Sequence, residues 1–319
     1  MTNEISQQIS KSRNLLSILD LSADEILGIC NRGKEIKEKF NLGITPDTKP
    51  LKNKSIAILF EKPSLRTRVS FEVAIQRLGG SSIYLGPQEV GLGTRESISD
   101  ITKVLSRYVD AIICRTFAHA NLEEMVSNSS IPIINALSDL EHPCQTLADL
   151  LTILDHKGKL KDLTVSYIGD GNNVANSLAL GVLSSGSDFR IAHPENYGFQ
   201  QKILEEINAI AKTTNRAFIQ SNQRDEILSG SDIIYTDVWT SMGQENEHKK
   251  RLVAFKNFQI NELSITHAGP NTLLMHPMPA HYNEEISEGL LEHPQSIVFD
   301  QAENRLHTQK ALLLMLFED

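Results

Sequence analysis

Ile56-Ala57-Ile58-Leu59-Phe60-Glu61-Lys62-Pro63-Ser64-Leu65-Arg66-Thr67-Arg68 holds the key to the fold. Five apolar residues read as a buried strand, and Glu61-Lys62-Pro63 as the turn that ends it. A helix is predicted to follow, from Val69 to Leu78. Backbone N–H groups at a helix start have no intrahelical partner, and the helix dipole favours negative charge there. Arg66 and Arg68 add cations to that geometry, which predicts an anion pocket, most naturally for a phosphate. A solvated basic turn is the other reading that these residues alone leave open.

Working outward, strands alternate with helices. Ser82–Leu85, Ala111–Cys114 and Ile131–Asn135 read as further strands, separated by helices at Ile98–Tyr108 and Leu122–Ser127. A glycine-rich stretch, Gly86–Ser97, reads as a mobile loop. His142-Pro143-Cys144-Gln145 opens a long helix, roughly Thr146–His156, and a domain boundary is expected in or just after it. The second half repeats the style. Its strands are expected at Leu163–Ile168, Asp188–Ala192, Ala217–Ile219, Ile233–Asp237, Leu273–His276 and Ser296–Asp300, and its last helix at Asn304–Phe317. The expected fold class is α/β. It has two domains, each a parallel β-sheet flanked by helices, joined by long interdomain helices. Functional groups in such sheets gather beyond the carboxyl ends of the strands.

With 319 residues the chain can build two ordinary domains, and its formal net charge is −9. It has no long basic run and no aromatic-interleaved basic patch, which argues against nucleic acid. Cys30, Cys114 and Cys144 are widely spaced and odd in number, which argues against a disulfide framework or a zinc site. Residues 1–13 read as a polar loose arm without a signal-peptide core, and no apolar run reaches membrane-spanning length. A soluble cytoplasmic protein with no membrane partner is expected.

Several other residues sit at predicted strand ends. Gly169-Asp170-Gly171-Asn172-Asn173 fills a strand-to-helix turn, but Asn stands where a dinucleotide fingerprint needs its third glycine. An amide-lined turn for a small polar substrate fits better than a nicotinamide cofactor. His142 is either a structural histidine or a donor that polarises a carbonyl oxygen beside the anion pocket. Asp237 is either a turn acid or the partner of a substrate ammonium group. Pro277-Met278-Pro279 either ends a strand or aims carbonyl oxygens at a ligand, with an X-Pro bond that can be cis.

Together, Phe60–Arg68 with Ser70-Phe71-Glu72, His142–Gln145, Gly169–Asn173, Asp237–Gln244 and Phe299–Arg305 resemble the aspartate/ornithine carbamoyltransferase family over nearly the whole chain. Ser241-Met242-Gly243 resembles its ornithine branch. The resemblance implies a carbamoyl phosphate-binding domain at residues 1–150 and an ornithine-binding domain at 151–303. It also implies a C-terminal helix at 304–319 that packs back on the first domain. Ser64, Leu65 (through its backbone), Arg66 and Thr67 would hold the phosphate, with Arg115 and Arg305 adding charge. Thr67, Arg115 and His142 would face the carbamoyl oxygen. Gln145 and the Met278 carbonyl would face the carbamoyl nitrogen. Asn173 and the Met242 backbone would take the ornithine α-carboxylate, and Asp237 and Ser241 its α-ammonium. The catalytic set so implied is Arg115, His142, Thr67 and Asp237. The implied reaction makes citrulline, needs no metal or other cofactor, and belongs to a homotrimer or a multiple of trimers. Another amine acceptor, or a non-catalytic phosphometabolite-binding role, is the alternative.

Two departures stand out. His276-Pro277-Met278-Pro279-Ala280 carries proline where the ornithine enzymes usually have cysteine near the reacting amine. Gly91 replaces the glutamine that usually precedes Leu-Gly in the mobile loop and reaches a neighbouring subunit, and Arg95 is the candidate substitute.

Overall fold

The computed structural model describes residues 13–44, 48–241 and 243–318. The expected arm up to residue 12, part of the loop after the first helix, and Met242 lie outside the described residues. Helix α1 (Ala23–Asn41) starts at a Ser22/Glu25 capping box, in which each side chain accepts from the other's backbone N–H. The first sheet region runs β1 (Ser55–Phe60), α2 (Leu65–Arg77), β2 (Ser81–Leu85), α3 (Pro87–Val90), α4 (Ile98–Leu105), β3 (Ala111–Arg115), α5 (His119–Asn128) and β4 (Ile133–Leu137). Helix α6 (Pro143–Lys157) leads to the second region. There β5 (Thr164–Ile168), α7 (Asn173–Ser184), β6 (Asp188–Ala192), α8 (Gln201–Thr214), β7 (Phe218–Ser221) and α9 (Arg224–Leu228) come first. They are followed by β8 (Ile233–Thr236), α10 (His248–Phe255), α11 (Glu262–Ala268), β9 (Leu273–Met275) and α12 (Val298–Phe317).

Both sheets are wholly parallel, in the orders β2-β1-β3-β4 and β7-β6-β5-β8-β9. Central strands such as β3 and β8 are buried along their full length, as expected where helices cover both faces. In each sheet the strand order reverses beside the strand that comes first in the chain, between β1 and β3 and again between β5 and β8. Ligands of open α/β sheets bind at such switch points. Helix α6 spans the two regions. Its Leu147, Leu150 and Leu151 share one apolar cluster with Leu178 and Ala179 of α7 and with Leu312 and Leu313 of α12. Arg32 of α1 pairs with Glu318 just past α12 at 2.5 Å.

Four expectations need correction. Ser296–Asp300 is not a strand. Ser296 makes one isolated bridge to Leu274, Ile297 donates to the Leu274 carbonyl, and Gln301 then donates to the Ile297 carbonyl, so the chain turns straight into α12. The β-branched pair Ile297-Val298 imitated a strand, but its burial comes from docking a helix start. The Gly86–Ser97 stretch contains α3, which begins at Pro87 and is capped by Gly91 in the left-handed region. Helices α10 and α11 lie where no element was expected. Helix α2 starts four residues earlier than predicted, so Leu65-Arg66-Thr67 form its first turn rather than a preceding loop. Among the described residues no helix is long and apolar enough to cross a membrane.

Candidate active site

The carboxyl ends of β1 and β3 face those of β5, β8 and β9 across a cleft of about 370 Å³. On the first side, Ser64 caps α2 and accepts from the Thr67 N–H at 3.4 Å. Arg66 and Thr67 project from that first turn, and Arg115 ends β3. Arg115 is buried, and its Nε has no hydrogen-bond partner among the described residues. Burial, then the charges of Arg305 and Arg66, push its pKa down to about 10, so it remains a guanidinium at neutral pH. Arg305, from α12, is buried too. It donates from Nη1 to Gln145 Oε1 at 2.6 Å and from Nη2 to Thr67 Oγ1 at 3.3 Å, and leaves Nε without a partner. Three guanidinium groups thus converge where burial makes unpaired charge costly.

His142 is the N-cap residue of α6, and Pro143 starts the helix. Its backbone N–H donates to Ser177 Oγ at 2.8 Å, and that hydroxyl donates to the buried Glu141 at 2.9 Å. Its Nδ1 has no partner among the described residues. Burial, then Arg305, Arg115 and Lys62, hold the imidazole well below its usual pKa, so at neutral pH it is an uncharged ring with one N–H to donate.

The second side is built differently. Asp237 follows β8 and is buried. It accepts from Asn172 Nδ2 at 2.9 Å and from the Val238 N–H at 2.8 Å, while burial raises its pKa. Asn173 starts α7 and donates to the Ser138 carbonyl at 2.6 Å, across the cleft. The Ser241 N–H donates to Gln244 Oε1 at 3.2 Å. The Met278–Pro279 bond is cis. The Met278 N–H donates to His276 Nδ1 at 2.9 Å, so His276 carries its proton on Nε2, where the buried Glu285 accepts at 3.0 Å.

Ser64, Leu65, Arg66, Thr67, Arg115, His142, Gln145, Asn173, Asp237, Ser241, Met278 and Arg305 all line this one cleft, as does Pro277. Arg68 does not. It pairs with Glu72 at 3.0 Å and lies over the Tyr84 ring at 3.6 Å, because its helix position points outward. The cationic groups that line the cleft are therefore Arg66, Arg115 and Arg305, and not the expected pair Arg66 and Arg68. Arg95 also lies outside its own chain's cleft, with Nη1 3.4 Å from the Glu89 carbonyl. The Gly169–Asn173 turn is no dinucleotide cradle. The Gly171 N–H donates to the Tyr197 carbonyl at 2.8 Å, and a Cβ at Gly171 would lie 2.5 Å from the Gly198 backbone.

Sequence reasoning missed Lys62, which lines the cleft and sits over the Phe117 ring at 4.6 Å. Burial first and Arg115 second push its pKa down to about 8. Its place beside Pro63 at the end of β1 was the available signal. Thr240 and His281 also reach the cleft unforeseen.

Comparison with known proteins identifies the family. Residues 13–155 match the aspartate/ornithine carbamoyltransferase carbamoyl-P binding domain, and residues 161–316 match that family's Asp/Orn binding domain. The chain is 46% identical over 304 residues to an ornithine carbamoyltransferase of Archaeoglobus fulgidus, covering 95% of this chain and 97% of that one. It is 43% identical over 306 residues to that of Anoxybacillus flavithermus, covering 96% and 97%. The solved ornithine carbamoyltransferase from Pyrococcus furiosus superposes with a TM-score of 0.92 at 42% identity, covering 96% of this chain and 97% of that one. Two matched domains, relatives aligned nearly end to end and a shared backbone leave one assignment: the chain belongs to the aspartate/ornithine carbamoyltransferase family.

Proposed function

We infer that the protein transfers the carbamoyl group of carbamoyl phosphate to the side-chain amine of L-ornithine, giving L-citrulline and phosphate. The observation that carries this reading is the pairing of two unlike surfaces across one cleft. Uncompensated guanidinium groups and a helix start stand on one side, and a buried carboxylate with amide groups on the other.

The phosphate sits against the first turn of α2, held by Ser64, the Leu65 backbone, Arg66 and Thr67, with Arg115 and Arg305 supplying charge. The carbamoyl oxygen faces Arg115, His142 and Thr67, and the carbamoyl nitrogen faces Gln145 and the Met278 carbonyl. Asp237 and Ser241 take the ornithine α-ammonium, and Asn173 and the Met242 backbone its α-carboxylate. The neutral side-chain amine attacks the carbamoyl carbon. Charge then grows on the carbamoyl oxygen, where prearranged donors stabilise it. As the intermediate collapses, the C–O bond to phosphate breaks, and phosphate leaves toward the arginines carrying the proton that the added nitrogen gives up. Neutral His142 serves as a hydrogen-bond donor in this scheme. Bringing two substrates together in one cleft supplies much of the acceleration.

The same reading divides the chain into a carbamoyl phosphate-binding part (1–150), an ornithine-binding part (151–303) and a C-terminal helix (304–319) that returns to the first part. Contacts from Arg305 to Thr67 and Gln145 support that last point. It includes a cytoplasmic location and assembly into trimers. Exposed Leu65 and Val69, one turn apart on α2, offer apolar surface for such assembly. Light scattering tests the trimer.

The test of function is product formation from carbamoyl phosphate with ornithine, putrescine, aspartate and N-acetylornithine offered separately. Citrulline from ornithine, far ahead of the rest, is expected. Turnover of putrescine, which has no α-carboxylate or α-ammonium, would overturn the roles of Asp237 and Asn173.

A further inference from the structure

Behind the cleft lies a buried polar relay that the scheme above does not use. Gln301, on α12, accepts the His276 backbone N–H at its Oε1 (2.9 Å). A backbone N–H can only donate, so this contact settles which end of the Gln301 amide is oxygen. Its Nε2 therefore donates to Asp149 Oδ1 at 2.7 Å and to the Tyr235 hydroxyl oxygen at 3.1 Å. With its oxygen accepting, Tyr235 gives its own proton to Asp149 Oδ2 at 3.1 Å. Asp149 is fully buried and takes donors on both oxygens. The group of Gln145 that faces Oδ1 at 2.8 Å must then be its NH₂. This turns Gln145 Oε1 the other way, toward Arg305 and the cleft. A carbonyl oxygen has two lone pairs, and Arg305 uses one.

We propose that Asp149, acting with the Arg305 guanidinium on the opposite side, is a positioning residue that fixes the sense of the Gln145 amide, so that the cleft presents an acceptor to the N–H of a carbamoyl group and discriminates against an acetyl phosphate of the same shape. This rests on the reading of the cleft as a carbamoyl-transfer site. An acetyl methyl offers nothing to Gln145 Oε1 or to the Met278 carbonyl. A carbamoyl NH₂ offers one hydrogen to each. If Asp149 could donate, Gln145 could reverse, and its NH₂ would then oppose both Arg305 and the substrate nitrogen.

The experiment measures dissociation constants of carbamoyl phosphate and acetyl phosphate by calorimetry in the cold, for the wild type, Asp149→Asn, Gln145→Ala and the double variant. Asp149→Asn is isosteric but can donate. Carbamoyl phosphate is expected to bind it roughly tenfold more weakly, and acetyl phosphate within about twofold of the wild type. In the Gln145→Ala background, Asp149→Asn should change the ratio of the two constants no further. Equal loss of both ligands, no loss of either, or a full additional effect in the double variant would overturn the proposal.

Should Asp149→Asn fail to fold, the wild-type ratio as a function of pH carries the test. Burial pushes the Asp149 carboxyl up to about 7, against hydrogen bonds from Gln145, Gln301 and Tyr235 and the charge of Arg305. The charged and titratable groups facing it are Arg305 from α12 and Tyr235 from β8. Burial holds the Tyr235 phenol well above its usual pKa, and Arg305 stays cationic at these pH values. The ionisation shared by both ligands cancels in the ratio. Discrimination is expected to weaken as the pH falls through about 7, and a constant ratio overturns the proposal. Citrulline formation by the wild type is followed in parallel. Its absence sinks the proposed function but leaves the binding ratios readable, whereas citrulline with an unchanged ratio sinks only the role of Asp149.

Discussion

The switch point between β1 and β3 and the one between β5 and β8 are topological counterparts with opposite electrostatic character. At the first, Arg115 and Arg305 each leave a buried Nε unpartnered, and Arg66 adds a third cation. At the second, Asp237 is already held by Asn172 and the Val238 N–H, and Asn173 by the Ser138 carbonyl. The first region keeps unpartnered donors at the Nε of Arg115 and of Arg305, although Arg305 also holds Gln145 and Thr67. The second region is internally satisfied, so its ligand must compete with hydrogen bonds already made. The contrast predicts ordered binding, with the phosphate-bearing substrate first and the amino acid second, and product-inhibition patterns check it: a random order would break the comparison.

The largest expected effect comes from emptying the first region of charge. Arg115→Gln should lower kcat about 10²–10³-fold, the cost of a lost oxyanion donor, with the fold intact by circular dichroism. A variant that kept wild-type kcat would remove Arg115 from the chemistry. Next comes the second region. Asp237→Asn should raise the KM for ornithine roughly tenfold to a hundredfold, the scale of a lost charge-assisted hydrogen bond. The KM for carbamoyl phosphate should hold nearly still. If both constants moved together, the two regions would not be separate subsites.

A smaller effect concerns acid stability. Folded His142 resists the proton that the unfolded chain accepts near its ordinary pKa of about 6.5. The unfolded state therefore binds more protons in acid. Stability tied to this residue is full above about 6.5 and falls as the pH drops below it. Denaturant titrations of the wild type and His142→Asn between pH 5 and 8, a range of about three units chosen to bracket the ordinary histidine pKa, should show a shallower slope for the variant. Parallel slopes would mean that the ring protonates freely in the fold. The smallest effect tests the boundary of the first region. Arg68→Ala should leave carbamoyl phosphate binding unchanged and cost under about 1 kcal/mol of stability, since its pair with Glu72 is exposed. A large rise in the KM for carbamoyl phosphate would restore Arg68 to the anion pocket.

The contrast also shows how much of the site was legible beforehand. The strand ends at Arg115 and Asp237 are local signals that motif reading placed, whereas Ser64 was read as part of a turn before a helix at Val69 and is in fact the cap of α2. Arg66 and Arg68 are two residues apart on a helix and so face different ways. That divergence was hidden only because α2 was expected to begin four residues later. Lys62 was missed because a lysine in a turn reads as solvated. Its ammonium lies over the ring of Phe117, which is distant in sequence. Helices α10 and α11 went unseen because the stretch carrying them is rich in charge and short of a clear apolar period.

By itself the sequence determined the alternating βα pattern, both parallel sheets and most of the residues that meet in the cleft. These follow from short-range periodicity and from strand ends, where loops must carry the polar groups. Only the tertiary structure decided which groups touch. It set Arg305 of α12 against Thr67 and Gln145, and it turned Ser296–Asp300 into a helix start. It also joined His276, Gln301, Asp149 and Gln145 into one relay. The contacts that close these networks link residues far apart in the chain, and their energies come from burial and donor–acceptor matching that no local pattern encodes.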